Sequence, residues 1–180
     1  MTGEREKRRK LPSRDECVEL LRESGCNEGV VAHCLAVTEL ALKFARKCEA
    51  DVELVEVGAL LHDIGRCRSH AIDHAVRGAE VAKEEKLPDE VAKIIERHIG
   101  GGITRAEAKK LGLPEKDYLP KTLEEKIVSQ ADNLIAGTKR TTVKEAVGWL
   151  VRQGLPDVAM RVLKLHEELS AACGMNLDDI

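Results

Sequence analysis

Aromatic residues are nearly missing from this chain, with one Phe, one Tyr and one Trp (Phe44, Tyr118, Trp149) among 180 residues. Its core must therefore be packed from Leu, Val, Ile and Ala. No apolar run approaches the roughly 18 residues of a membrane span, and the opening MTGEREKRRKLP is charged, unlike a signal peptide. No membrane partner is expected. An excess of either charge is also lacking: 29 basic against 32 acidic residues leave a net charge of -3, which argues against an extended nucleic-acid-binding surface. The six cysteines include no CxxC pair. Several fall inside helical apolar patterns, as free buried thiols do in reducing cells, so a cytoplasmic location is expected. Walker-type and G-x-G-x-x-G phosphate loops are absent as well.

What is present is helical periodicity. At this length one domain can bury a core without disulfides or structural metals, and we expect a basic tail over 1–12, a domain over 13–173 and a short tail over 174–180. Ser13 with Glu16, Thr104 with Glu107, and Thr122 with Glu125 have the spacing of helix N-terminal caps. Apolar residues recur every three or four positions over about 27–48 (Val30, Cys34, Val37, Ala41, Phe44) and 52–63 (Val52, Val55, Ala59). The pattern continues from Asp73, from Pro88, after Thr122, over 143–153 and over 156–172. In HAVRGAEVAKEE the small residues Ala75, Gly78, Ala79 and Ala82 would let a neighbour approach closely. No stretch alternates with period two, so the fold class is all-α, a helical bundle of about eight helices.

Polar residues interrupt these apolar faces. His33, His62, His98 and Asp132 each lie on the inward side of a different helix, and His74 stands near the start of another. In ALLHDIG, His62 and Asp63 follow two leucines directly. A buried carboxylate needs hydrogen bonds, a cation or a raised pKa. Taken singly, each such residue is more often a satisfied core hydrogen-bonder than a ligand. His70 and His74 form an H-x-x-x-H pair, but Ala71 follows His70, so the glutamate of an H-E-x-x-H zinc protease is missing.

Taken together, His33, the His62–Asp63 pair within ALLHDIGR, and Asp132 within VSQADNL resemble the HD superfamily of metal-dependent phosphohydrolases in its HDIG variant. The segments HAVRGAEVA and IIERHIGGG are similar to those that supply two more histidines in the two-metal branch, H…HD…H…H…D. The resemblance implies an HD-like helical domain. It implies one ion on His33, His62, Asp63 and Asp132 and a second on Asp63, His74 and His98, with Asp63 bridging. Mixed imidazole and carboxylate ligands suit Mn, Fe, Co, Ni or Zn. The implied activity is hydrolysis of a small phosphorylated substrate, a nucleotide or related ester, through metal-activated water at His62 and Asp63. Arg66, Lys139 and Arg140 are candidate phosphate contacts, and His70 faces substrate or supports a ligand. Two other readings stay open: a mixed-valent di-iron oxygenase of the same superfamily, or a metal-stabilised binding module without turnover.

Overall fold

We analysed a computed structural model that describes residues 11–180; the basic cluster of Arg5 and Lys7 to Lys10 lies outside the described residues. Nine α-helices occur among them: α1 (Arg14–Glu23), α2 (Glu28–Lys47), α3 (Val52–Leu61), α4 (His74–Glu84), α5 (Asp89–Glu96), α6 (Arg105–Lys110), α7 (Leu123–Asn133), α8 (Val143–Arg152) and α9 (Pro156–Cys173). Short 3-10 turns cover Ile64–Cys67, Ile99–Gly101 and Leu177–Asp179. The all-α expectation holds, with one addition that no alternation could announce. Strands β1 (Ile135–Ala136) and β2 (Lys139–Arg140) form a two-residue antiparallel ladder in which Ile135 faces Arg140.

Local signals set the helix starts. Ser13 and Glu16 cap α1 reciprocally, and Thr104 with Glu107 does the same for α6. Thr122 caps α7 by accepting from the Glu125 N–H, but the Glu125 carboxylate is taken elsewhere. It is buried and accepts from the Lys121 N–H and from Arg97 Nη1 at 2.9 and 3.0 Å. This pair ties the end of α5 to the start of α7.

Two large apolar clusters share the interior, beside a small one of Ile103, Ala108, Leu113 and Tyr118. Val37, Ala41 and Phe44 of α2 meet Val55 and Ala59 of α3, Ile127, Val128 and Ala131 of α7, and Leu165 and Leu169 of α9. Leu21 of α1, Cys34 of α2, Val57, Leu60 and Leu61 of α3, Val81 of α4 and Ile95 of α5 form the other. Helix α3 feeds both clusters, which explains why VELVEVGALL is apolar on most of its circumference. Each fully buried Leu or Val contributes about 1.5–3 kcal/mol. Leu177 is wholly buried in the first cluster, so the 174–180 segment packs against the bundle.

One cysteine expectation needs correction. Cys17, Cys26, Cys34 and Cys67 are free, but Cys48 and Cys173 form a disulfide. These residues end α2 and α9, and the packing of two helix ends joins them across 125 residues, a pairing that helical periodicity cannot reveal. Cysteine usage therefore does not carry the expectation of a cytoplasmic location. No helix among the described residues is long and apolar enough to cross a membrane.

The loop after α5 is held by close backbone contacts. Gly102 has φ +101°, and a Cβ there would stand 2.8 Å from Leu119 Cα and from Pro120 Cδ. Arg161 of α9 fastens the same loop by donating to the Gly102 carbonyl and to Glu107. Gly102→Ala should cost about 3 kcal/mol from backbone strain and overlap, read as a lower urea midpoint with unchanged slope. A midpoint equal to the parent's would show that the loop relaxes freely.

Candidate metal centre

The 3.6-residue repeat of α3 delivers His62 to its C-terminal edge, and α5 delivers His98 in the same way. His33 lies within α2, His74 opens α4, Asp63 begins the turn after α3, and Asp132 sits in the last turn of α7. Packing brings all six together. Asp63 occupies the middle and is only 3% exposed.

Its two carboxylate oxygens face different partners. Oδ2 stands 3.9 Å from His62 Nε2 and 4.0 Å from His33 Nε2. Asp132 Oδ1 completes that side, 2.9 Å from His33 Nε2 and 3.5 Å from His62 Nε2. Oδ1 of Asp63 instead faces His74 Nε2 at 3.2 Å and His98 Nε2 at 3.5 Å. The ligand atoms of His33, His62 and Asp132, and those of His62, Asp63 and His98, lie within 4.8 Å of one another.

The tautomers follow from the other ring nitrogens. Nδ1 of each of these four histidines is 2.7 Å from a backbone carbonyl: Gly137 for His33, Ala59 for His62, Ala71 for His74 and Ile95 for His98. A carbonyl only accepts, so each Nδ1 carries a proton and each neutral ring presents an Nε2 lone pair inward. The Nε2 atoms of His74 and His98 are 3.2 Å apart beside the same Asp63 oxygen. Lone pairs so arranged repel unless a proton or a metal ion lies between them. His62 Nε2 and Asp63 Oδ1 are buried without any hydrogen-bond partner among the described residues. Imidazoles oriented by carbonyls, with unpaired nitrogen and carboxylate atoms converging, are the donor set that a divalent transition metal accepts.

Charge in the metal-free cluster agrees with this reading. Burial works against both carboxylates, yet the histidines hold Asp63 and Asp132 well below the usual carboxylate range. Burial also opposes charging of His33 and His62. Asp132 outweighs it at His33, and Cys34, Asp63 and Asp132 outweigh it at His62, so both pKa values rise. A proton held in this way stabilises the metal-free fold below the ordinary histidine pKa and ceases to do so as pH rises through the raised value. A metal must displace it. The apparent affinity for Mn should therefore fall as pH drops from about 8 to about 6, with proton release visible in calorimetry across buffers of different ionisation enthalpy. An affinity flat with pH would mean that these rings bind no metal.

The other sequence candidates are placed less uniformly. Arg66 donates from Nε to Asp63 Oδ2 at 2.6 Å and belongs to the site. His70 and Lys139 are exposed. Arg140 turns its guanidinium to the Leu177 carbonyl and the Phe44 ring. Tyr118 is buried with its hydroxyl donating to the Pro114 carbonyl. Sequence reading missed the Gly137 carbonyl, the Arg97–Glu125 pair and Cys34 beside His62. Arg97 and Cys34 each had a signal, a place next to a candidate ligand, His98 and His33.

A family model described as HD domain matches residues 30–137, which include all six converging residues. The chain belongs to the HD domain family. Over 170 residues it is 45% identical to a tRNA (cytidine(56)-2'-O)-methyltransferase of Picrophilus torridus, covering 94% of this chain and 50% of that one. It therefore spans half the length of that relative. An uncharacterized protein of Methanocaldococcus jannaschii is 57% identical over 127 residues, covering 68% of this chain and 75% of its own. Among solved structures, the HD domain of the Listeria monocytogenes phosphodiesterase PgpH, in complex with cyclic-di-AMP, aligns with TM-score 0.55 over 86% of this chain and 93% of that one. At 20% identity that likeness speaks for the fold alone.

Proposed function

We propose that this HD domain is a metal-dependent phosphohydrolase acting on a nucleotide or related phosphate ester, with two divalent ions per chain. The observation that carries this reading is the division of Asp63, whose Oδ2 stands on the side of His33 and His62, the two rings that Asp132 also approaches, while Oδ1 faces His74 and His98. Two such ions lower the pKa of a bound water towards neutrality and polarise a phosphoryl oxygen.

The protein's own groups do the rest. His62 and Asp63 present their unpaired atoms rigidly, because α3 and its following turn are buried. Arg66 holds Asp63 through Nε, leaving its terminal guanidinium nitrogens to take a non-bridging phosphate oxygen. Four carbonyl-bound Nδ1 protons stop the rings from turning as substrate enters.

A second reading of the substrate draws on the methyltransferase relative, whose name refers to tRNA. In that reading the phosphate ester belongs to an RNA. One set of experiments separates these possibilities. Elemental analysis of the purified chain should give about two transition-metal ions, and Mn or Co should then support release of phosphate or nucleotide from a mononucleotide, cyclic dinucleotide and short RNA panel. Two ions with no turnover on any of them would leave a metal-stabilised binding module. Iron-specific, oxygen-dependent turnover would select the oxygenase reading instead.

A further inference from the structure

Of the four histidines, three take their Nδ1 acceptor from a residue three positions earlier in the chain. His33 differs. Its acceptor, the Gly137 carbonyl, lies 104 residues away at the tip of the β1–β2 hairpin. The orientation of this ring thus depends on where a two-residue ladder is held.

Arg140, the partner of Ile135 in that ladder, supplies the hold. Its guanidinium lies over the Phe44 ring at 5.6 Å, donates to the Leu177 carbonyl at 3.0 Å and stands 4.0 Å from Asp178. Phe44 and Leu177 are completely buried. The turn bearing Leu177 is fixed in its own right: the Leu177 N–H donates to Ser170 Oγ, and Asn176 Oδ1 is 2.9 Å from Nε2 of the buried His166. The adjoining Cys173 is bonded to Cys48 at the end of α2, the helix that carries His33.

We propose that Arg140 is a positioning residue for His33: it pins the hairpin to the C-terminal turn, so that the Gly137 carbonyl holds the His33 ring with Nε2 towards Asp132. This rests on the reading of His33 as a metal ligand. It gives Arg140 a role through the protein rather than through substrate. A planar guanidinium suits the task, since one face covers Phe44 while an edge donates to a carbonyl.

The test is NMR of the full chain without metal. Ring N–H protons bonded to carbonyls exchange slowly with water, and His33→Gln identifies the His33 signal by its loss. Arg140→Ala should abolish the His33 Nδ1–H signal while those of His62, His74 and His98 persist. The same variant should bind its first Co or Mn ion about 10–100-fold more weakly, and Arg140→Lys should recover part of both. Should Arg140→Ala fail to fold, Gly137→Ala serves. A Cβ there meets nothing within 4 Å, so the change disturbs only a backbone with φ +64° and should shift the same signal. Persistence of the His33 signal and of metal affinity in the folded variants would overturn the assignment. A raised KM as the sole change would do so too, by making Arg140 a substrate contact. A parent protein that shows the His33 signal but binds no metal would instead overturn the metal reading.

Discussion

Gly65→Ala is expected to be among the most damaging single changes in this protein. A Cβ at this position would lie 1.9 Å from the His74 carbonyl oxygen and 2.4 Å from the Gly78 nitrogen. Both are backbone atoms, so no rotamer change relieves the overlap. The turn after α3 would have to separate from α4, opening the contact for which Gly65 and Gly78 are paired. The cost should be about 3 kcal/mol or more, a fall in Tm of roughly 6–12 °C for a domain of this size. His74 would move with its carbonyl, so binding of the second Mn ion should weaken more than binding of the first. Thermal denaturation and a Mn titration measure both effects. A near-parental Tm would mean that α4 shifts without resistance.

Asp63→Asn separates stability from function in the opposite way. Asparagine keeps the size of the side chain but removes the charge that both sides of the cluster face. Metal content should fall from about two ions to none and turnover to background. In the parent, metal at a hundred times its Kd should raise stability by about 2.7 kcal/mol, or roughly 5–10 °C in Tm. In the variant that increment should vanish while the helical circular dichroism spectrum stays. A variant still stabilised by Mn would show that Asp63 does not join the two groups of ligands.

The helices were legible because their signals are local. Ser13 and Thr104 announce α1 and α6 by reciprocal caps, and the apolar stripe of α2 is buried as its spacing implies. His33, His62, His98 and Asp132 were legible for another reason, as polar groups where periodicity demands apolar ones, while the roles of Asp63 and His74 came from the resemblance to the HD superfamily. The structure brings them to one place. What stayed hidden is what depends on contacts between distant segments. ALLHDIG suggests that Gly65 stops a helix, yet α3 has ended by Leu61 and Gly65 serves a backbone contact with α4. Cys48 carries no mark of Cys173, and nothing near His33 points to a carbonyl in a hairpin only two residue pairs long. Arg140 next to Lys139 looks like a phosphate contact until the C-terminal turn is packed beneath it.

The way the helices meet the cluster also bears on the order in which ligands arrive. Helices α3, α5 and α7 all end towards the centre, with His62 at the end of α3, His98 two residues past α5 and Asp132 in the last turn of α7, whereas α4 begins there. Each helix end carries about half an elementary charge, negative at the C-terminus. Three such ends and two carboxylates concentrate negative charge at the cluster, offset in part by the Arg66 guanidinium and by the protons that His33 and His62 hold. Two divalent cations, held as proposed above, would reverse the sign of the local field. Under the proposed function, binding would therefore follow an order set by charge, cations first and the phosphate ester second.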